Sequence, residues 1–182
     1  MALSPGRYAI GPDTGQLRIY TRREGVAAKV GHDLLITFRR WSGTIQLDDP
    51  GTANVDVEIE VRSLEIVDGT GGAVPLSGGD RDDITSTALR LLEAHRYPTA
   101  LFGSTRVTPS SDGASIEGAL TIRGHSEPLT LDVLETGPST WTASVRVLQS
   151  AFGIKPYKAF FGALRLADEV RIGADVNLSN PS

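Results

Sequence analysis

The chain has 182 residues and a formal net charge of −4, with acids and bases mixed along it and no basic block of the kind that tracks nucleic acid. It contains no cysteine, which excludes disulfides and thiolate metal sites. No apolar run approaches the roughly 20 residues of a membrane helix, and the start Met1-Ala2-Leu3-Ser4-Pro5-Gly6-Arg7 lacks the features of a secretory leader, so the expectation is one soluble, cytoplasmic domain over 1–182.

In chain order, Gln16-Leu17-Arg18-Ile19-Tyr20-Thr21 alternates apolar with polar residues, as a strand with one covered face does. A short helical turn is expected near Val26-Ala27-Ala28-Lys29. Strands follow near 31–38 and 41–47, with a turn at Asp48-Asp49-Pro50-Gly51. Asn54 to Arg62 is the most regular stretch: Val55, Val57, Ile59 and Val61 share one face and the residues between them are polar. Such alternation belongs to antiparallel rather than doubly buried parallel sheets. The glycines between Gly69 and Gly79 read as a long flexible entry to a helix.

That helix is expected over 82–95, because Ile84, Ala88, Leu91 and Leu92 fall at i, i+4, i+7 and i+8 on one face. Asp80 is placed as its N-cap, and Pro98 lies beyond its end. Strands resume near 100–107, 115–123, 129–133, 141–147 and 170–178, punctuated by turns at Ser111-Asp112-Gly113, Gly124-His125-Ser126 and Gly137-Pro138-Ser139. Many consecutive strands with short turns predict an all-β fold, here a closed antiparallel barrel of about eight strands with one α-helix capping an end.

A barrel of that size is either filled by its own side chains or holds one small ligand. The small residues Gly118, Ala143 and Ala174 fall on predicted inward faces, and aromatics make up only 6% of the chain. Both features leave volume, but ordinary packing with the helix filling a gap accounts for them equally well. If the barrel is hollow, its lining and its core are the same residues: Leu17, Ile19, Leu34, Ile36, Val57, Ile59, Val61, Phe102, Leu120, Ile122, Leu131, Val133, Val145 and Phe152. An apolar hollow favours an apolar guest.

His32, placed on a strand between Gly31 and Asp33, is a candidate for meeting a polar head group, or else a hydrogen-bonded structural histidine. The loop 155–164 is a candidate flap, with Lys155 for an anionic head and Phe160 and Phe161 for an apolar tail; alternatively its aromatics pack inward over the barrel end. Arg81 is a second candidate anion contact, or a partner of Asp82 or Asp83. The three histidines show no metal-ligand spacing, and neither a G-x-S-x-G elbow nor a Walker loop is present, so no catalytic residue, metal or cofactor is assigned.

Several segments, in this order, carry a family likeness. They are Tyr8-Ala9-Ile10-Gly11-Pro12-Asp13-Thr14-Gly15, Val30-Gly31-His32-Asp33-Leu34, Trp41-Ser42-Gly43-Thr44-Ile45 and Tyr97-Pro98 through Phe102-Gly103-Ser104. Gly118 through Leu129, Phe152-Gly153-Ile154 and Ala167-Asp168-Glu169-Val170 follow. With them the chain resembles the YceI-like, lipocalin-type polyisoprenoid-binding family over nearly its whole length. The family's frequent histidine at the helix start is replaced here by Ile84 in Arg81-Asp82-Asp83-Ile84.

The resemblance implies an eight-stranded barrel with an elongated interior for an isoprenoid or other long-chain lipid. The reading is therefore a non-enzymatic carrier or sequestering protein that takes no nucleic acid, with transient membrane contact and a homodimer left open. The alternative is a scaffold that makes protein contacts through the helix or the 155–164 loop. A third, enzymatic reading needs polar groups converging inside the cavity, such as His32 with an inward Ser or Asp.

Overall fold

The computed structural model describes residues 3–48 and 52–179. The expected turn residues Asp49, Pro50 and Gly51 lie outside them. In chain order the elements are β1 (Gly6–Ile10), β2 (Gly15–Tyr20), β3 (Arg23–Glu24), β4 (Asp33–Phe38), β5 (Trp41–Asp48), β6 (Thr52–Glu60), β7 (Leu64–Thr70) and α1 (Gly78–Leu91). Then come β8 (Thr99–Pro109), β9 (Gly113–Ile122), β10 (His125–Gly137), β11 (Thr140–Leu148), β12 (Lys158–Ala159), β13 (Leu164–Leu166) and β14 (Glu169–Asn177). A 3₁₀ turn over Ala28–Val30 stands where the short helical turn was expected.

Eleven strands form one curled antiparallel sheet in the order β1-β5-β6-β8-β9-β10-β11-β14-β2-β4-β7. The closed eight-stranded barrel is thereby corrected: the wall is a half-barrel, and no ladder joins its ends, β1 and β7. Tyr8 and Ile10 of β1 and Leu64 and Ile66 of β7 nevertheless belong to one core cluster. Alternation along a strand records which face is dry, but not which strands pair or whether the first meets the last. A second sheet of three short strands, β12-β13-β3, sits apart from the wall.

The period of two holds where it was clearest. On β6, Val55 is buried and Val57 and Ile59 half-buried, while Asn54, Asp56 and Glu58 are exposed. The helix begins earlier than expected, and its N-cap is Ser77 rather than Asp80. Ser77 Oγ accepts from the Asp80 backbone N–H at 3.1 Å, and the Asp80 carboxylate accepts from the Ser77 N–H at 2.8 Å. This reciprocal box satisfies two otherwise orphaned donors. Asp80 thus serves as the third residue of the box. The apolar period begins only at Ile84, so it could not reveal the first turn.

Candidate functional site

The inner faces of the wall and one face of α1 enclose a cavity of about 500 Å³, within the range of small-molecule sites. The predicted residues Leu17, Ile19, Leu34, Ile36, Val57, Ile59, Val61, Phe102, Leu120, Ile122, Leu131, Val145 and Phe152 line it, as does His32. Ile84, Ala88, Leu91 and Leu92 of α1 also line it, so the apolar helical face seen in the sequence is a cavity wall. None of α1 is fully buried, and the inward Ile19, Val57, Ile59, Ile122, Leu131 and Val145 are only half-buried.

The cavity stops along the strands rather than running their full length. On β9 Leu120 and Ile122 line it and Ile116 does not; on β10 Leu129 and Leu131 do and Val133 does not. On β11 Ala143, Val145 and Val147 do and Trp141 does not, and on β14 Val170, Ile172 and Ala174 do and Val176 does not. Beyond that line Val55, Ile116 and Val133 pack in one cluster, and Tyr8, Ile10, Trp141, Val176 and Leu178 in another. Val133 is therefore a plug residue, one inward step past Leu131.

Small residues shape the hollow selectively. Ala143 and Ala174 are paired directly across β11 and β14, and Ala174 is paired with Leu17 of β2, so two methyls stand side by side where the wall is concave. Gly118 leaves no volume: a Cβ there would lie 2.7 Å from Cζ of Phe102 and 2.4 Å from the Gly103 carbonyl, so the Phe102 ring occupies its space.

Of the polar lining groups, Arg18 comes from β2, Thr21 from the residue after it, Asp83 and Thr87 from α1 and Ser144 from β11, while Arg23, His32, Gln149, Tyr157 and Arg165 come from β3, the segment before β4, the 3₁₀ turn Gln149–Phe152, and the 157–166 region. Arg23 Nη1 donates to the carbonyls of Thr70 (2.8 Å) and Gly31 (3.0 Å), and its backbone N–H to Asp33 (2.8 Å). His32 lies just before β4 rather than on a strand, and its Nε2 is 2.8 Å from the Val74 carbonyl.

These two side chains seat on glycines. A Cβ on Gly71 would lie 2.0 Å from Arg23 Nη1, and one on Gly72 the same 2.0 Å from His32 Nε2. Gly71 also has φ +82°, a region where glycine is favoured. The 69–79 stretch is thus a largely exposed strap, seated on the lining side chains Arg23 and His32 at Gly71 and Gly72.

Among the described residues Arg81 forms no ion pair with Asp82 or Asp83. Its guanidinium donates to the carbonyls of Ile66 and Val67, tying α1 to β7. The far end of the helix is held by Arg123, which pairs with Glu93 and donates to the Gly153 carbonyl. Hydrogen bonds from the Ser77 hydroxyl and backbone N–H hold the Asp80 carboxyl below its usual range. Elsewhere on the rim of the fold, Arg40 lowers Glu60 and Arg39 lowers Glu65 by the same kind of contact. Among the described residues no group of three or more His, Cys, Asp or Glu is arranged to hold a metal, and no helix is long and apolar enough to cross a membrane.

Lys155, Phe160 and Phe161 do not line the cavity. Phe160 is 65% exposed and Phe161 113%. The reason is the backbone: Phe160 (φ 48°), Phe161 (φ 55°) and Gly162 (φ 88°) are three successive left-handed residues, which swing the two rings outward. For a bulky side chain such a conformation costs about 1–2 kcal/mol. Nothing in the sequence around Ala159-Phe160-Phe161-Gly162 signals it except the glycine.

The YceI-like domain matches residues 8–178. Protein YceI of Escherichia coli O17:K52:H18 is 28% identical over 107 residues, covering 58% of this chain and 51% of that relative. Protein YceI of Shigella flexneri gives the same identity and coverage. The match spans about half the length of these curated relatives. Among solved structures, Burkholderia cenocepacia BcnA superposes with a TM-score of 0.68 at 19% identity, over 89% of this chain and 94% of that one. The Campylobacter jejuni YCEI protein does so at 0.61 and 16%, over 81% and 85%. At those identities the likeness is one of fold.

Proposed function

From the premise that the chain belongs to the YceI-like family, we propose that it is a non-enzymatic carrier that binds one isoprenoid or comparable amphiphilic lipid chain in its apolar cavity. The observation that carries this reading is the cavity of about 500 Å³ walled by half-buried aliphatics. Burying an aliphatic chain there removes apolar surface on both partners from water, at roughly 25 cal/mol per Å² before ordering costs. Among the residues proposed to contact the chain are Ile19, Val57, Ile59, Leu120, Ile122, Leu131 and Val145. The polar lining groups Arg23, His32 and Tyr157 suit a head group left at the rim.

Native mass spectrometry of the purified protein, before and after exposure to farnesol, geranylgeraniol and palmitic acid, tests the proposal. One lipid per chain, lost on organic extraction and regained on re-exposure, is the expected result. Absence of any co-purifying lipid together with no uptake of the three probes sinks it.

A further inference from the structure

We propose that the turn carrying Phe160 and Phe161, together with the neighbouring turn at Val26, is an insertion tip by which the protein docks onto a bilayer containing anionic lipid. Val26 is 95% exposed, Phe160 65% and Phe161 113%. The two turns are one unit: the Ala27 N–H donates to the Ala163 carbonyl at 2.9 Å, and Gly25 is packed so closely on Ala163 that a Cβ would lie 2.3 Å from the same oxygen. Two joined turns therefore carry three large exposed apolar side chains, two of them on left-handed backbone.

Three observations select a membrane as the occupant. The segments that form the tip, 22–33 and 155–166, carry Arg22, Arg23, Lys29, Lys155, Lys158 and Arg165 against only Glu24 and Asp33, although the whole chain is −4. The basic surplus is local, as a surface meeting anionic head groups requires. Lys29, Lys155 and Lys158 are exposed beside the tip. The exposed apolar surface continues beside the tip, where Val30 is 52% and Tyr157 39% exposed. A group rich in exposed aromatic rings suits the interfacial layer of a bilayer, where aromatic side chains partition. Finally, the tip lies beside the cavity's polar rim, since Val30, Gly31, Tyr157 and Leu164 to Leu166 flank it in the chain and line the cavity.

Docking does not depend on the lipid-binding proposal, and the two fail separately. The test is co-flotation with vesicles of phosphatidylcholine and phosphatidylglycerol, and with phosphatidylcholine alone, for the wild type, for Phe160→Ser with Phe161→Ser, for Phe161→Ser alone, and for Lys29→Glu with Lys155→Glu and Lys158→Glu. Sedimentation without vesicles and uptake of geranylgeraniol are measured in parallel. The expected result is binding to the anionic vesicles that falls at least tenfold in the double-serine and charge-reversed variants, with probe uptake retained. Phe161 is wholly exposed, so its single variant stays folded and still weakens binding. No wild-type binding to anionic vesicles, or binding unchanged by the serine variants, overturns the proposal. Self-association abolished by the serine variants without vesicle binding also overturns it and assigns the tip to a second copy of the chain.

Discussion

The two ends of the curled sheet are made by the same strands and the same alternation, yet one is solid and the other hollow. Along β11, Trp141 and Ala143 are consecutive inward residues; along β14, Val176 and Ala174 are. At the solid end Trp141 packs with Tyr8, Ile10 and Leu178. One inward step away, the paired methyls of Ala143 and Ala174 leave the wall bare and α1 closes over the gap without filling it. Side-chain volume, not strand pattern, sets where the cavity ends. The solid end supplies cohesion, and the hollow end gives up packing contacts that a guest can replace.

The sharpest way to break this contrast is to unplug the solid end. Trp141→Ala extends the cavity past Ala143 and should cost about 3 kcal/mol, near the lower limit for a large aromatic. The lower limit applies because the indole Nε1–H is buried without a partner among the described residues, and its removal recovers part of the loss. Urea denaturation checks the stability, and uptake of longer prenols checks the cavity. A shift of preference toward longer chains is expected; unchanged chain-length preference would mean that Trp141 does not set the floor.

The opposite manipulation fills the hollow end. Ala143→Leu places three more carbons into open space, so stability should hold or rise by up to about 2 kcal/mol at roughly 0.8 kcal/mol per buried methylene. Probe affinity should fall at least tenfold, about 1.4 kcal/mol. A loss of stability instead would show the Ala143 and Ala174 neighbourhood to be tightly packed. The pair of variants therefore moves stability and binding in a pattern that a uniformly packed core cannot reproduce.

Much of this was legible in the residues and some was not, for definite reasons. The dry faces of β2, β6, β9 and β10 follow from alternation, and the apolar face of α1 from its period. Ala143 and Ala174 signalled volume correctly, but Gly118 did not, because Phe102 on the adjacent strand occupies its space. Composition marked Gly71 and Gly72 as loose, whereas contact with Arg23 and His32 makes them packing positions. The outward swing of Phe160 and Phe161 depends on backbone angles that residue identity alone does not fix. The open seam between β1 and β7 depends on register.

A smaller effect isolates the helix that covers the hollow end. Ser77→Ala removes the acceptor for the Asp80 N–H and the hydroxyl donor to the Asp80 carboxylate. Loss of such a cap costs about 1 kcal/mol. The hollow end should loosen first. Hydrogen exchange should speed up along α1 and the Gly71–Leu76 strap while the amides of β9 and β10 beside Ile116 and Val133 keep their protection. Uniform acceleration would mean that the two ends unfold as one unit.

Acid should produce the smallest change, with its sign set by Asp80. Its carboxyl is held below the usual range by the Ser77 hydroxyl and backbone N–H. A depressed folded value means the contribution is fully present above the ordinary carboxylate pKa of about 3.9 and is lost as pH falls through the folded value. Stability should therefore be flat from neutrality to about pH 5 and decline below about pH 4. Glu60 and Glu65, lowered by Arg40 and Arg39, titrate in the same direction, so the decline alone does not identify Asp80. The comparison with Ser77→Ala does. Without the hydroxyl, only the Ser77 backbone N–H still lowers the carboxyl, so the acid step of the helical far-ultraviolet signal should shrink, while the near-ultraviolet signal of Trp41 and Trp141 follows the same curve in both proteins. An acid step of equal size in the variant would place the titrating group in the arginine pairs at the wall and not at the helix cap.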